Sequence, residues 1–351
     1  MLEVMHAMYP EAPVYTSLYH PAALPPSYRT WDVRPSFLNR VPGANRRHQW
    51  LLPFYPYAFE RMDLSGFDLV LSVTSAFAHG VTVRTGALHI CYCLTPARFL
   101  WDYDHYVARE GLAGGARWLL PRLVSRLQRW DLQAANRVHS FVAISGAVQA
   151  RIRRFYQRDA EIIYPPADVQ RCRFSQNFGD YFLIISRLVP YKRIDLAVQA
   201  FNQLGLPLVI IGDGRDRPAL QAMARPNVRF LGRLDDKEAG DYLTGCRAFV
   251  FPGEEDFGIA PLEAQAAGRP VIAYAGGGAL ETITDGVTGI FFHEQTPTSL
   301  AAAVQRLGET RFDPFIIRES AMRFDHSVFE RRLAEFVRAR RGEITARQSS
   351  D

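Results

Sequence analysis

Several features that would assign a protein class at once are missing from this sequence of 351 residues. No apolar run approaches the roughly 18 residues that a membrane-spanning helix requires, which excludes an integral helical membrane protein. The opening residues, MLEVMHAMYP, lack the basic and then apolar order of a secretory signal. We therefore expect a cytoplasmic protein, and one that could still work at the inner face of the plasma membrane.

Cysteine and lysine are both scarce. The cysteines form no CxxC pair, which excludes a disulfide framework and a zinc-binding spacing and predicts reduced thiols. They are Cys91, Cys93, Cys172 and Cys246. Only two of the 41 basic residues are lysines, Lys192 and Lys237. Because arginine is the usual cation of this chain, each lysine is an unusual choice.

Charge is unevenly distributed along the chain. Residues 1–165 hold 18 arginines and 12 acidic residues, whereas residues 166–351 hold 23 basic and 24 acidic residues. A basic first half suits an anionic partner such as a phospholipid surface or a lipid diphosphate, and the alternative is an ordinary solvated surface. The arginines are scattered and no recognition motif accompanies them, so we do not expect nucleic acid as a partner.

The second half alternates short apolar runs with helical patterns. This order predicts βαβ units on a doubly wound parallel sheet that is covered on both faces. The predicted strands are 181–186, 207–211, 228–231, 247–251, 270–274 and 289–292. The predicted helices are 192–204, 215–224, 235–244, 258–268, 278–284 and 297–308.

The first half shows a weaker form of the same α/β pattern. The predicted strands are 13–17, 68–73, 87–93 and 139–144, and the predicted helices are 116–136 and 145–157. Residues 19–60 are predicted to be loop with short helices. The Pro-Pro step in YPPAD favours a linker there. We expect a first domain over 1–168, onto which an amphipathic helix at 325–341 packs, and a second domain over 178–324.

Two cations follow the first predicted strand of the second half. Arg187 and Lys192 lie five residues apart across a turn, and Lys192 stands at the start of a predicted helix. Ligands of open α/β sheets bind beyond the carboxyl ends of the strands, at helix N-termini. Two cations at such a place can hold a diphosphate without a metal ion. The alternative is a pair of surface charges, and the scarcity of lysine favours the functional interpretation.

The segment FPGEEDFGIAPLEAQAAG, residues 251–268, carries the strongest signal. Glu255 precedes a predicted helix and Glu263 lies inside it. A carboxylate can accept hydrogen bonds from two hydroxyls, as a sugar or a ribose diol requires. The backbone N–H groups of Phe257, Gly258 and Ile259 would lie at the helix N-terminus, where they suit a phosphate or a sugar hydroxyl. Glu263 has apolar flanks, so we expect it to have a partner.

Two glycine-rich turns follow other predicted strands. GDGRD places Gly212 and Gly214 after the second strand, and AGGGALET places Gly277 after the strand at 270–274. Glycine lets a backbone approach a ligand closely, but it also suits an ordinary sharp turn. The position of the second turn beside the Glu255 motif favours contact with a ligand.

In this order and spacing, Arg-x4-Lys, GDG, E-x-F-G-x4-E and a glycine-rich turn resemble the family-4 retaining glycosyltransferases of the GT-B fold. The resemblance covers about 180–295 strongly and continues weakly through 141–168. LHICYCLTPARFLWDY, at 88–103, resembles bacterial mannosyltransferases that build O-antigen and related surface polysaccharides. The resemblance implies two Rossmann-like domains that face a cleft, with the acceptor on the first. It also implies that the first domain here lacks its first strand.

The resemblance implies a role for each matching residue. Arg187 and Lys192 would hold the donor diphosphate, and Glu255 would bind hydroxyls of the donor sugar together with the backbone of 257–259. Glu263 would bind the ribose hydroxyls. The glycine turns would lie beside the donor, with the nucleobase near 212–214. No DxD-like pair of acids is present in the expected loop, so neither a metal nor another cofactor is expected.

The first domain departs from the family pattern at one position. Many relatives carry a histidine near the end of the strand that matches LHICYC. Here Leu94 occupies that place and is followed by Thr95 and Arg98, which become the candidates on the acceptor side. His79 and His89 are interpreted as structural.

The expected reaction is transfer of mannose from GDP-mannose to a lipid-linked or surface-polysaccharide acceptor. The aromatic and arginine-rich stretch at 97–111 would suit peripheral contact with an anionic membrane. Three alternatives stay open: a UDP-sugar donor, a nucleotide-sugar-binding protein without catalysis, and a GT-B sugar epimerase. The missing G-x-G-x-x-G turn argues against a nicotinamide-dependent dehydrogenase.

Overall fold

The computed structural model describes residues 1–44, 48–102 and 120–348, and the chain divides into two compact units. Unit 1 comprises Met1–Ile163 and Glu330–Asp351, and unit 2 comprises Tyr164–Phe329. Ala167 pairs with Asp325 in an isolated parallel bridge within unit 2. The domain boundaries at residues 168 and 178 stay predictions.

Unit 1 contains parallel strands in two separate sheets. The strands are β1 Val14–Thr16, β2 Val33–Pro35, β3 Leu69–Thr74, β4 Leu88–Cys93, β5 Ser140–Ala143 and β6 Ala160–Ile162. β1 pairs with β2, and β3 to β6 pair in chain order. Among the described residues of unit 1 the four-stranded sheet therefore shows no reversal of strand order. That the domain lacks a first strand stays a prediction.

The helices of unit 1 alternate with its strands along the chain. They are α1 Leu2–Met8, α2 Tyr55–Glu60, α3 Arg98–Trp101, α4 Leu120–Arg137 and α5 Gly146–Tyr156. Short 3-10 helices occupy Pro21–Ala23, Pro26–Thr30, Phe37–Arg40, His48–Phe54 and Ala78–Gly80. Strand β4 is buried along its whole length.

Unit 2 contains one sheet of six parallel strands. They are β7 Phe182–Ile185, β8 Leu208–Ile211, β9 Val228–Gly232, β10 Ala248–Phe251, β11 Val271–Tyr274 and β12 Gly289–Phe292. Their order in the sheet is β12-β11-β10-β7-β8-β9, which is doubly wound. Separate apolar clusters pack on its two faces, which explains why the strands are continuous apolar runs. All six strands predicted for this half are present.

The helices of unit 2 alternate with these strands. They are α6 Ile194–Leu204, α7 Arg217–Met223, α8 Asp236–Gly245, α9 Ile259–Ala266, α10 Ala279–Thr282, α11 Pro297–Glu309 and α12 Pro314–Met322. The last helix, α13 His326–Gln348, begins in unit 2 and belongs to unit 1 from Glu330 onward. None of the helices in the described parts of the chain is long and apolar enough to span a bilayer.

Candidate active site

The strand order of unit 2 reverses between β7 and β10. In a doubly wound sheet, ligands bind in the crevice beyond the carboxyl ends of the strands at such a reversal. The two loops that leave these ends are the β7 loop, residues 186–193, and the β10 loop, residues 252–258. These loops carry the cations and the first acid that the sequence singled out.

The β7 loop turns sharply after its lysine. Lys192 closes a 3-10 turn that begins at Pro190, and α6 starts only after Arg193, two residues later than predicted. Arg193 adopts a left-handed backbone conformation with φ of 51°, which is unusual for a residue other than glycine. Its guanidinium donates hydrogen bonds to Asp195 at 3.2 Å and to Gln295 at 2.9 Å. These bonds hold a strained turn, and strained backbone of this kind clusters at functional sites.

The predicted cations and the first predicted acid meet at this reversal. Lys192 Nζ forms an ion pair with Glu255 Oε1, and only 15% and 21% of the two side chains is exposed. The Tyr191 ring lies 5.1 Å from Lys192 Nζ, and its hydroxyl accepts a hydrogen bond of 2.9 Å from Arg187. Tyr191 therefore links the two cations. The contacts of Tyr191 could not be predicted from the sequence, because an aromatic residue between two cations is not a recognisable pattern.

The β10 loop ends at the amino terminus of α9. Phe257 is buried, and Gly258 has φ of 89°, a conformation that favours glycine. A Cβ at Gly258 would lie 2.9 Å from the ring of Phe251. Gly258 is the N-cap of α9 and offers no capping side chain, so the first N–H groups of the helix have no side-chain acceptor there. Such a terminus suits an anion or a sugar hydroxyl.

Glycines of the neighbouring β11 loop, residues 275–278, pack directly on the β10 loop. A Cβ at Gly277 would lie 2.1 Å from the carbonyl oxygen of Glu255. A Cβ at Gly278 would lie 2.3 Å from the Cα of Phe257, and the Gly278 N–H donates a hydrogen bond of 2.9 Å to the Glu255 carbonyl. Glycine is therefore required here for close approach of two backbones.

Glycines also allow close backbone contact between the other loops at this edge of the sheet. A Cβ at Gly253 would lie 2.8 Å from the Tyr191 carbonyl oxygen, which joins the β10 and β7 loops. Cβ atoms at Gly212 and Gly214 would lie 1.9 and 2.2 Å from carbonyl oxygens of the β7 loop. Packing thus explains Gly212, Gly214 and Gly277, and their contact with a donor stays a prediction.

Glu263, the second predicted acid, lies in α9. Burial raises its pKa above the usual 4.5, and the charges of Asp236 and Asp168 raise it further. Its side chain is nevertheless exposed to solvent. The charge of Asp236 acts on Glu263, and Asp236 is the first residue of α8, which follows β9. Binding of a ribose by Glu263 stays a prediction.

Aromatic side chains brace the β10 loop from within unit 2. The Tyr164 ring stacks on Phe257 with centroids 5.6 Å apart, and Phe324 packs edge-on against both rings. The backbone of Phe324 accepts a hydrogen bond of 2.8 Å from Ala167 N–H. The two segments that border unit 2 in the chain, near 164–167 and 324–325, therefore support the loop that carries Glu255.

The predicted acceptor-side residues lie in unit 1, after β4. Thr95 Oγ1 accepts a hydrogen bond of 3.2 Å from Arg151, and Arg98 is the first residue of α3. The α3 carbonyl of Leu100 accepts a hydrogen bond of 2.7 Å from Gln128. Of the predicted membrane-contacting stretch 97–111, residues 103–111 lie outside the described residues.

A buried carboxylate fixes this part of unit 1. Asp131 accepts hydrogen bonds from Trp101 Nε1 at 2.7 Å and Tyr156 OH at 2.8 Å, and lies 3.2 Å from His79 Nε2. Asp131 and His79 are both fully buried. The sequence carries a signal for Asp131, because it falls on the apolar stripe of α4. The other buried members of that stripe are Leu127, Ala134 and Ala135.

The described residues bring together no group of three side chains that could hold a metal ion. A reaction without metal or cofactor stays a prediction.

Comparison with protein families finds a match within unit 2. A family model described as Glycosyl transferases group 1 matches residues 173–324. This range includes the β7, β10 and β11 loops. The loops of the candidate site therefore lie in a segment that is similar to the group 1 glycosyltransferases.

The curated relatives include enzymes with different substrates. The GDP-mannose-dependent monoacylated alpha-(1-6)-phosphatidylinositol monomannoside mannosyltransferase of Corynebacterium glutamicum is 35% identical over 176 residues, 45% of each chain. A GDP-mannose-dependent alpha-mannosyltransferase of Mycobacterium tuberculosis is 30% identical over 233 residues, 62% of this chain and 61% of its own. Glycogen synthase of Pseudomonas aeruginosa is 37% identical over 137 residues, 36% of this chain and 27% of its own. The matches span less than two-thirds of these relatives.

Solved structures establish the fold. HepE of Anabaena, in complex with UDP and glucose, has a TM-score of 0.67 and 16% identity, covering 96% of this chain and 94% of its own. Sucrose-phosphate synthase of Thermosynechococcus elongatus has a TM-score of 0.66 and 18% identity, covering 88% of this chain and 82% of its own. The predicted GT-B architecture, with a parallel sheet in each of two domains, is confirmed.

Proposed function

We propose that the protein is a retaining glycosyltransferase that uses a nucleotide-sugar donor bound at the carboxyl edge of the unit 2 sheet. The observation that carries the proposal is the Lys192–Glu255 pair at the reversal of strand order, with Arg187 linked to it through Tyr191. Cations and an acid at one point match the two halves of such a donor, a diphosphate and a sugar rich in hydroxyls.

The reaction places its largest demand on the leaving group. The bond between the sugar carbon and the diphosphate oxygen breaks, and the acceptor oxygen forms a bond to the same carbon on the same face. The acceptor hydroxyl proton passes to the departing diphosphate, so no protein base is required. Arg187, Lys192 and the N-terminus of α9 stabilise the negative charge that develops on the diphosphate. No metal ion is assigned a role.

Mannose from GDP-mannose is the donor that we favour, with a lipid-linked or surface-polysaccharide acceptor. Support comes from the two relatives whose names specify GDP-mannose. A UDP-sugar donor is the second candidate, since the HepE structure contains UDP and glucose. Binding of a donor without transfer is the third.

Thermal-shift measurements with GDP-mannose, UDP-glucose, UDP-N-acetylglucosamine, GDP and UDP distinguish these donors. A ligand that binds only the folded state stabilises it by an amount set by its concentration relative to Kd. We expect the largest shift with GDP-mannose. A shift with the UDP compounds alone would replace the GDP-mannose assignment, and no shift with any of them would overturn the proposed function.

Lys192→Ala and Glu263→Ala are each expected to lower transfer by about 100-fold or more, as loss of one charge-stabilising or substrate-positioning group does. Lys237→Ala is the matched control for Lys192, because Lys237 is the other lysine and is exposed in α8. Glu309→Ala, at the exposed end of α11, is the control for Glu263. Full activity of either site variant would contradict the assignment. Donor stabilisation without sugar transfer in the unaltered protein would favour the binding protein.

A further inference from the structure

An exposed aromatic surface on unit 1 belongs neither to the unit 2 site nor to the core. Its members are large side chains that lie within 37–57 and have at least 39% of their surface in solvent. We call them the aromatic patch: Phe37, Val41, Trp50, Phe54 and Tyr57. Trp50 is 77% exposed, which is far beyond what a tryptophan that packs in a core would show.

Three members of the aromatic patch lie together on the outward side of α2. The rings of Phe37 and Tyr57 pack edge to face with centroids 5.6 Å apart. Phe54 and Tyr57 are three residues apart at the start of the helix and therefore share its face. The buried residues of α2 are Pro56, Ala58 and Phe59. One side of α2 thus packs against the core. The opposite side faces solvent and would usually be polar, but here it is aromatic, which is typical of an interaction surface.

The segment of the sequence that carries the aromatic patch has an excess of positive charge. Residues 37–61 contain four arginines and one acid, Glu60. Glu60 pairs with Arg137 at 3.0 Å and accepts a hydrogen bond of 2.8 Å from Trp130, so its charge is compensated. The Arg61 guanidinium lies 4.3 Å from the centre of the Tyr57 ring, and Arg40 is exposed beside the patch. Aromatic rings bordered by arginine suit the interface of a bilayer with anionic headgroups.

We propose that the aromatic patch binds the surface of a bilayer that contains anionic phospholipid. The rings enter the headgroup region, and Arg40 and Arg61 face lipid phosphates. A second copy of the chain fits this surface less well, because a symmetric interface would bring the same arginines together. The patch differs from the stretch 97–111 that the sequence analysis favoured for membrane contact. The proposal does not rest on the proposed function, because vesicle binding requires no sugar donor.

Cosedimentation of the full chain with vesicles tests the proposal. One set contains phosphatidylcholine alone, and the other contains about one-third phosphatidylglycerol. We expect binding to the anionic set and weak binding to the neutral set. The double variant Trp50→Ser with Phe54→Ser should lower the affinity for anionic vesicles about tenfold or more. Phe315→Ser with Ile316→Ser is the matched control, because these side chains in α12 are 57% and 49% exposed and should be replaceable without effect.

Further outcomes decide the interpretation. Arg40→Glu with Arg61→Glu should abolish the preference for anionic vesicles, and an unaltered thermal midpoint shows that either double variant is folded. Unchanged vesicle binding by the Trp50/Phe54 variant would overturn the proposal, as would equal binding to neutral and anionic vesicles. Sedimentation velocity that shows self-association of the protein, abolished by the same variant, would assign the surface to a second copy and overturn it as well.

Discussion

The two units hold their loops in place by contrasting means. In unit 2, Gly253, Gly277 and Gly278 let neighbouring loops meet backbone to backbone. In unit 1, the buried carboxylate of Asp131 contacts side chains from three other segments. The comparison shows which change should destabilise each unit. In unit 2 it is a Cβ added at one of these glycines, and in unit 1 it is the loss of the Asp131 charge.

The largest effect is expected from Asp131→Ala in unit 1. Removing one partner of a buried charged network leaves Trp101, Tyr156 and His79 without their acceptor, which costs about 3–5 kcal/mol of unfolding free energy. All five tryptophans lie within residues 1–163, so tryptophan fluorescence in urea reports on unit 1. Asp159→Ala, which breaks an exposed ion pair with Arg153, is the control and should change little. A cost below about 1 kcal/mol for Asp131→Ala would mean that the network does not fix the unit.

Gly278→Ala tests the corresponding device in unit 2. The added Cβ would lie 2.3 Å from the Phe257 Cα, so the β10 loop must shift. We expect a cost of about 1–3 kcal/mol in stability and a clear loss of donor affinity, measured by calorimetry. Gly240→Ala is the matched control, because Gly240 lies in α8 with no atom within 4 Å of its Cβ position. Donor affinity that is equal in both variants would show that the loop contact is dispensable.

The histidines of unit 1 predict a stability maximum near neutral pH. Burial opposes protonation of His79, but its hydrogen bond to Asp131 and the charge of Asp131 raise its pKa above 6.5. Burial lowers the pKa of His89 to about 3, with the charges of His79, His139 and Arg137 acting in the same direction. Stability from His79 is therefore lost as pH rises through its raised pKa. Stability is also lost as pH falls below about 6.5, because the unfolded chain then protonates His89.

Urea unfolding across pH, followed by tryptophan fluorescence, measures the loss of stability below the maximum, the acid limb, and above it, the alkaline limb. Each proton contributes a slope of at most about 1.4 kcal/mol per pH unit. His79→Gln should flatten only the alkaline limb, whereas His89→Gln should reduce only the acid limb. A variant that leaves both limbs unchanged would show that its histidine does not titrate differently in the folded state.

The smallest effect is expected at Tyr191 in unit 2. Tyr191→Phe removes the hydrogen bond from Arg187 but keeps the ring beside Lys192, so donor binding should weaken by about 1 kcal/mol. Tyr191→Leu removes both contacts and should weaken donor binding further. Calorimetric titration with the donor measures both variants, and unchanged unfolding midpoints serve as the internal control. Equal affinities for all three proteins would remove Tyr191 from the site.

The fold of unit 2 could be predicted closely because burial on both faces makes its strands apolar without interruption. Short continuous apolar runs indicate buried strands, and two examples are LVII at 208–211 and AFVF at 248–251. Strands β2 and β6 of unit 1 were missed, because VRP and AEI are three residues long and none of these residues is fully buried. Helix α12 was missed as well, although Asp313 caps it and Pro314 begins it.

The candidate site also contains residues that the sequence could predict and residues that it could not. The residues with unusual chemistry for their position, Lys192 and Glu255, could be selected from the sequence, and the structure brings them together. Tyr191 and Arg193 could not, because an ordinary residue acquires its role there from contacts or from a left-handed backbone that no local pattern announces. Gly253 had no signal either, since its requirement arises from a loop some sixty residues earlier in the chain.

The split of unit 1 along the chain has a consequence for biosynthesis. Leu333, Phe336 and Val337 of α13 are buried, and Arg332 and Arg341 of the same helix pair with Glu161 and Asp68 of unit 1. A ribosome delivers these residues only after the whole of unit 2. Unit 2 can therefore complete its sheet while unit 1, although translated first, still waits for its last helix. Apolar surface that α13 will cover stays open during that interval, and exposed apolar surface of this kind favours aggregation of the nascent first unit.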